Sequence, residues 1–137
     1  MNPIYTSQII IGEGTNADVD TTEEDVVVVS DTNKLLHTQL TIYLDTVFGT
    51  NTSVEYRFYY QNQKDGNWYA RPKWNASDNT LDDYPAIVDS TSPVSSGGHV
   101  YTVFEFGLAS CYGFKVTAKG AGGANSSCSV RIMSRNN

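Results

Sequence analysis

Five aromatic side chains in the middle of the chain are its best candidates for binding chemistry. They are Tyr59, Trp68, Tyr69, Trp74 and Tyr84. Trp and Tyr present flat apolar rings with one polar group, which suits them to stack on sugars or to anchor a protein interface. Such rings also cover the edge of a hydrophobic core. Core packing is the favoured role, followed by a protein interface and then by sugar binding, and the sequence leaves all three open.

Residues with catalytic or metal-ligand chemistry do not form a recognisable motif. His37 and His99 have neither a nucleophile motif nor metal-ligand spacing around them, so a structural role is favoured for each. The acids Asp18, Asp20 and Glu23 suggest calcium, but an EF-hand loop needs Gly at its sixth position and Glu at its twelfth, and neither fits. A solvated acidic loop is favoured instead. Nothing selects a carboxylate pair for glycoside hydrolysis from the 15 acids, so we expect no enzyme activity, no metal and no cofactor.

The two cysteines, Cys111 and Cys128, are expected to be buried thiols. They lack a CxxC partner, and the chain opens without the basic and apolar segments of a signal peptide, so folding in a reducing host cytoplasm is expected. A disulfide between them is the alternative. The glycine-rich residues 120–126 are followed by neither a helix nor Lys-Ser/Thr, so we interpret them as a hairpin loop rather than a phosphate-binding loop.

Length and charge exclude several classes of function. The 137 residues fit a single domain, 1–137. A net charge of −6 argues against nucleic acid as the partner, because phosphate binding needs Lys and Arg. No apolar run approaches the ~20 residues that span a bilayer, so no membrane partner is expected.

The charge is distributed unevenly along the chain. Every charged side chain before Lys34 is acidic, and every charged side chain after Glu105 is basic. The favoured interpretation is that the two ends lie side by side in one sheet and balance each other. The alternative is that the acidic end of one copy meets the basic end of another.

The clearest structural pattern is a strand at residues 54–61. Its apolar side chains share one face: Val54, Tyr56, Phe58 and Tyr60. The sequence Asp65-Gly66-Asn67 then predicts a turn, and residues 68–71 predict a return strand. We expect this hairpin to form the centre of the core.

Similar patterns predict strands along most of the chain. They lie at residues 4–11, 26–29, 36–44, 84–88, 99–106, 114–119 and 128–132. The resulting eight or nine strands indicate an all-β fold, a two-sheet antiparallel β-sandwich that is jelly-roll-like or Ig-like. Three polar loops, residues 12–25, 75–83 and 89–98, are expected to be flexible, and one or more of them to order on contact with a partner.

The whole chain resembles the small virion accessory proteins of tailed bacteriophages. It is β-rich, rich in Asn, Thr and Ser, and only 18% charged. Its closing segments, Phe114-Lys-Val-Thr-Ala-Lys-Gly and Val130-Arg-Ile-Met-Ser-Arg, resemble the terminal hairpin of such proteins. The resemblance implies a capsid decoration, head-fibre or tail-associated subunit that forms a symmetric homo-oligomer on the particle.

We therefore expect a non-enzymatic structural protein of a phage particle, located in the virion as a capsid decoration or other accessory subunit. Its expected partners are capsid or other virion proteins and further copies of itself, for example in a trimer. The alternative is a carbohydrate-binding β-sandwich module for host attachment, in which Trp68, Trp74 and neighbouring tyrosines hold the sugar.

Overall fold

The chain forms β-strands along most of the part that the structure describes. The structure, a computed structural model, covers residues 7–30, 39–70, 72–83, 85–91, 97–107 and 111–136. Its strands are β1 (Ser7–Val19), β2 (Glu24–Ser30), β3 (Gln39–Val47), β4 (Ser53–Gln61), β5 (Trp68–Ala70), β6 (Pro72–Asn75), β7 (Thr80–Asp83), β8 (Ala86–Asp89), β9 (His99–Gly107), β10 (Gly113–Ala121) and β11 (Ser126–Asn136). None of these residues belongs to a helix long and apolar enough to cross a membrane.

Nine of these strands form two antiparallel sheets. The first sheet has the order β1-β11-β3-β9, and the second has the order β2-β10-β4-β5, with β8 also paired to β4. The strands β6 and β7 form a separate hairpin. From β1 to β4 and from β9 to β11, consecutive strands alternate between the two sheets, which is the connectivity of a jelly roll rather than of an Ig-like domain. The predicted two-sheet sandwich is confirmed, and the strand order selects its topology.

The predicted central hairpin is confirmed as β4 and β5. The inner side chains of β4 are buried in the core or packed against it: Val54, Tyr56, Phe58 and Tyr60. Asp65 takes a φ of 59° in the turn, a left-handed conformation that Asp tolerates well, and Gln61 then pairs with Trp68. The strand β4 is the middle of the second sheet, because β10 lies on one side of it and the short strands β5 and β8 lie on the other.

The hydrophobic core fills the space between the inner faces of the two sheets. From the second sheet, the ring of Phe114 lies 5.3 Å from that of Tyr60 and 6.4 Å from that of Phe58, measured between centroids. From the first sheet, β3 contributes three fully buried side chains, Leu40, Ile42 and Leu44. They lie in the strand predicted at residues 36–44, whose first residues, Leu36 and His37, lie outside the described part of the chain.

A polar pair and the cysteines are also buried in the core. The hydroxyl groups of Thr46 and Tyr56 share a hydrogen bond of 2.6 Å. Burial raises the pKa of Tyr56 far above its ordinary value, so its phenol stays neutral. Burial also raises the pKa of the Cys128 thiol to about 11. Cys111 and Cys128 are both buried thiols, as the sequence predicts.

The predicted acidic loop at residues 12–25 is wrong, because most of it is strand. The strand β1 continues to Val19 alongside β11, and β2 begins at Glu24. A Cβ atom at Gly14 would collide with the carbonyl oxygen of Val26, so β1 passes this close to β2 only because the side chain is absent. Hydrogen bonding between strand backbones does not require alternating apolar side chains, so side-chain alternation could not predict the second half of β1.

The predicted hairpin between β10 and β11 is also wrong, because this connection crosses from one sheet to the other. The strand β10 pairs with β2 and β4, whereas β11 pairs with β1 and β3. The connection bends at Gly122, where φ is +70°. It then locks against the crossing from β3 to β4, since the Thr50 amide donates to the Ala124 carbonyl at 2.9 Å and the Thr52 amide to the Ala121 carbonyl at 2.8 Å. The two crossings brace each other at one end of the sandwich.

The remaining predicted loops are only partly described. Residues 75–83 contain the turn between β6 and β7 and the whole of β7, so they are more regular than predicted. The strand predicted at residues 84–88 is present as β8. Of the predicted loop at residues 89–98, residues 92–96 lie outside the described part of the chain.

The acidic and basic ends of the chain lie side by side, as the favoured interpretation held. The strand β1 pairs with β11, and Glu13 Oε1 lies 2.7 Å from Arg131 Nε. Both side chains are more than half exposed, so this ion pair contributes about 0–1 kcal/mol to stability.

Candidate interaction surfaces

Two of the predicted aromatic residues meet on the outer face of the second sheet, around a lysine. Tyr59 on β4 lies opposite Lys115 on β10, and Trp68 is supplied by β5. The Lys115 ammonium lies 5.2 Å from the Tyr59 ring centroid and 4.9 Å from that of Trp68. It also forms an ion pair of 3.2 Å with Asp25, and the lysine side chain is only 17% exposed. We call Tyr59, Trp68 and Lys115 the lysine cluster, in which one cation is attracted by two rings.

Carboxylates from neighbouring segments extend this cluster. The Tyr59 hydroxyl donates to both oxygens of Glu23, at 2.8 and 2.9 Å. Arg57 pairs with Glu55 at 3.1 Å and with Glu23 at 3.5 Å. Burial, together with the bond to Glu23, raises the pKa of Tyr59 to about 12. The phenol therefore remains a hydrogen-bond donor at neutral pH, and the polar groups of this face are engaged with one another.

The other predicted aromatics do not extend the lysine cluster into one continuous platform. Tyr69 follows Trp68 on β5, so it points to the opposite face of the strand, beside Tyr60. It is 54% exposed. Trp74 lies on β6, opposite Leu81 of β7, but its side chain is outside the described part. Tyr84 also lies outside the described residues.

A second candidate surface, on the outer face of the first sheet, was missed by the sequence reasoning. Tyr43 of β3 lies opposite Val103 of β9, and Asp45 lies opposite Tyr101. Tyr101 and Val103 are 63% and 52% exposed, which is high for large apolar side chains. With Arg131 of β11 and their other neighbours they line a groove of about 470 Å³. The available signal was a strand whose outward positions, Tyr101 and Val103, are not polar.

One end of this second surface is held by a histidine. His99 Nδ1 lies 2.8 Å from Asp45 Oδ1, and the imidazole stacks on the Tyr101 ring with centroids 5.5 Å apart and planes at 3°. Because a carboxylate accepts hydrogen bonds, His99 donates from Nδ1. The hydrogen bond to Asp45 holds the imidazole, and the stacked imidazole in turn holds the Tyr101 ring in place. We call Tyr43, Tyr101 and Val103 the apolar face.

The acids that suggested calcium do not gather into a site in the structure. Asn16 Oδ1 accepts from the Asp18 amide at 3.1 Å, where the ladder of β1 is irregular. Asp20 Oδ1 accepts from the Thr22 amide at 2.7 Å, so this side chain shapes the turn from β1 to β2. Across the described residues, no group of three or more His, Cys, Asp or Glu side chains is placed to hold a metal ion.

The chain is therefore an all-β sandwich of jelly-roll connectivity, with aromatic and apolar side chains on the outer faces of both sheets. No protein-family model and no curated protein matches the sequence. Among solved structures, the SPBc2 prophage-derived protein YomS is similar, with a TM-score of 0.52 at 14% identity, over 98% of this chain and 97% of YomS. A chain of the infectious bursal disease virus VP2 subviral particle gives a TM-score of 0.46 at 10% identity, over 96% of this chain and 32% of the viral chain. The likeness to YomS establishes a shared fold.

Proposed function

We propose that this chain is a non-enzymatic structural protein of a phage particle, and specifically a capsid decoration or other accessory subunit. The observation that carries the proposal is the match in fold to a prophage-derived protein over nearly the full length of both chains. A match over the whole length means that the two chains share one complete architecture, rather than a common sandwich inside larger proteins. Because one fold serves many functions, the surfaces must supply the rest of the argument.

The surfaces suit a subunit that holds other proteins. A particle subunit needs a rigid scaffold, and the braced crossings and aromatic core provide one. It also needs a docking area, and exposed contiguous apolar side chains such as those of the apolar face are typical of protein contacts. Two described groups with catalytic potential are engaged in structural contacts: His99 with Asp45, and Tyr59 with Glu23. The partners we propose are capsid or other virion proteins and further copies of the chain.

Mass spectrometry of purified particles tests this proposal directly. Virions from the host that encodes the chain would be purified on a density gradient, and the peptides of the chain quantified against those of the major capsid protein. We expect a fixed ratio of the two proteins in every particle-containing fraction. A chain found only in the soluble lysate, and not with particles, would contradict the proposal.

Carbohydrate binding for host attachment is the second candidate, because Tyr59 and Trp68 do come together beside the Glu23 and Asp25 carboxylates. Aromatic rings flanked by carboxylates can stack on a sugar and bind its hydroxyl groups. The position of Lys115 over both rings weighs against this candidate, since a sugar would have to displace the ammonium. A glycan array would distinguish the two. Saturable binding that is lost in Trp68→Ala and kept in Tyr101→Ala would favour the sugar-binding module.

A further inference from the structure

Among the strands that the structure describes, β9 is the least protected edge. An edge strand offers its outer amide and carbonyl groups to other chains, and natural proteins limit this with short strands, charges or bulges. The ladder of β1 is interrupted twice, that of β2 once, and β2 begins with Glu24 and Asp25. The edge strands β5 and β8 have only three and four residues. Each of these four strands therefore carries at least one protective device.

The strand β9 carries only one such device, the single acid Glu105. It is nine residues long, and among the described strands it pairs with β3 alone, in an unbroken register. Its sequence, HVYTVFEFG, contains one acid, Glu105, and neither Lys nor Pro. At ~3.4 Å per residue, it presents an edge about 30 Å long.

Two uncharged side chains point outward from the middle of this edge. Tyr101 and Val103 point outward from β9, and Asp45 behind them is hydrogen-bonded to His99. In a chain with a net charge of −6, most approaches of one copy to another bring acids together. In the middle of β9 the exposed side chains, Tyr101 and Val103, carry no charge, which limits this repulsion.

We propose that β9 pairs with β9 of a second copy of this chain, antiparallel about a two-fold axis. The pairing joins the first sheets of two copies into one continuous sheet and covers Tyr101 and Val103. In an antiparallel pair related by a two-fold axis, the same strand edge of each copy provides both the amide donors and the carbonyl acceptors that the other copy needs. The inference deepens the proposed function, which places many copies on one particle. A single strand pair is smaller than a standard interface, so the dimer is weak in solution and strengthened where a particle concentrates its subunits.

A charge at the edge tests the proposal against a matched variant on the other sheet. Val103→Lys places an ammonium on β9, and Val28→Lys does the same on β2, at a valine that is 50% exposed. Sedimentation equilibrium over a wide concentration range would give the dimer dissociation constant of each protein. We expect Val103→Lys to raise it by at least about tenfold through like-charge repulsion, and Val28→Lys to leave it within about twofold. Equal thermal midpoints of the two variants would show that both are folded.

Hydrogen exchange in the wild-type protein provides a readout that does not depend on any substitution. In a strand pair, alternate amides of β9 bond to β3 and the others point away from it. We expect the amides that point away to become protected as concentration rises, in parallel with dimer formation. A wild-type chain that stays monomeric would overturn the proposal. So would an oligomer that buries Tyr43 but leaves exchange at β9 unchanged, because it would form through the sheet face rather than the edge.

The outcomes for this inference and for the proposed function are distinguishable. A monomeric chain that is present in particles would overturn β9 pairing and leave the virion role in place. A β9 dimer that never accompanies particles would support the pairing and contradict the virion role.

Discussion

Replacing Lys115 by Met should destabilise the protein, although Lys115 lies on its outer surface. The substitution keeps a side chain of similar length and removes the ammonium from between Tyr59 and Trp68. A cation over an aromatic ring contributes about 0.5–1 kcal/mol when exposed and about 2 when desolvated. At 17% exposure Lys115 lies between these cases, while its ion-pair partner Asp25 is 53% exposed and adds less than about 1 kcal/mol. We expect a total loss of about 1–2 kcal/mol.

This loss converts into a measurable shift of the thermal midpoint. An unfolding entropy of about 2.1 cal/mol/K per residue gives about 0.29 kcal/mol/K for 137 residues. The expected decrease in Tm is therefore about 3–7 °C, measured by thermal unfolding with circular dichroism at neutral pH and low salt. Lys64→Met, at an exposed lysine in the turn after β4, is the control and should change stability by no more than about 0.5 kcal/mol.

A double-mutant cycle separates the contribution of the rings from that of the stem. If the ammonium acts through Trp68, then Lys115→Met should have a smaller effect in a Trp68→Leu background than in the wild type. A Lys115→Met protein as stable as Lys64→Met would refute the reasoning, because it would show that the ammonium contributes nothing where the geometry places it over two rings.

Three further predictions follow from buried or half-buried groups. Phe114→Ala should destabilise the core by about 3–5 kcal/mol, lowering Tm by about 10–17 °C in thermal unfolding, whereas Tyr69→Ala, at an exposed ring, should lower it far less. Folding raises the pKa of Tyr59 from 10.0 to about 12, so the protonated phenol stabilises the folded state fully below pH 10, and this stabilisation is lost between pH 10 and 12. Urea titrations should therefore show a smaller fall in the free energy of unfolding across that window for Tyr59→Phe than for the wild type. Cys111 and Cys128 should not react with a thiol reagent in the native protein, since both are 3% exposed, and should react fully on unfolding; rapid labelling of the native protein would contradict their burial.

The faces of the strands could be predicted from the sequence because side-chain alternation is a local property. The pattern of residues 54–61 placed Val54, Tyr56 and Phe58 in the core, and the structure confirms this. The sheet to which each strand belongs is not local. The glycine-rich residues 120–126 have the composition of a hairpin loop in either case, and only contacts with Thr50 and Thr52, about 70 residues earlier in the chain, reveal a crossing. Turn chemistry therefore predicts where the chain bends but not which strands pair.

The candidate surfaces were predictable only in part, for the same reason. Tyr59 and Trp68 fall within one predicted hairpin, so their meeting could be anticipated. Lys115 comes from β10, which begins more than 40 residues after β5 ends, and it reaches the rings because β10 lies between β2 and β4. Tyr101 and Val103 could be assigned to the outward side of β9, but an outward residue beside a neighbouring strand and one at a sheet edge look alike in a sequence.

The two outer faces of the sandwich therefore differ in what their aromatic residues do. On the second sheet, Trp68 and Tyr59 are engaged by Lys115 and Glu23, so their contribution is to the stability of the single chain. On the first sheet, Tyr101 is ordered by His99 but left 63% exposed beside the weakly protected edge β9. Removing Trp68 should then lower the thermal midpoint without changing self-association, and removing Tyr101 should weaken self-association with little change in the midpoint. The reverse result, association lost with Trp68 and stability lost with Tyr101, would mean that the second sheet carries the docking surface.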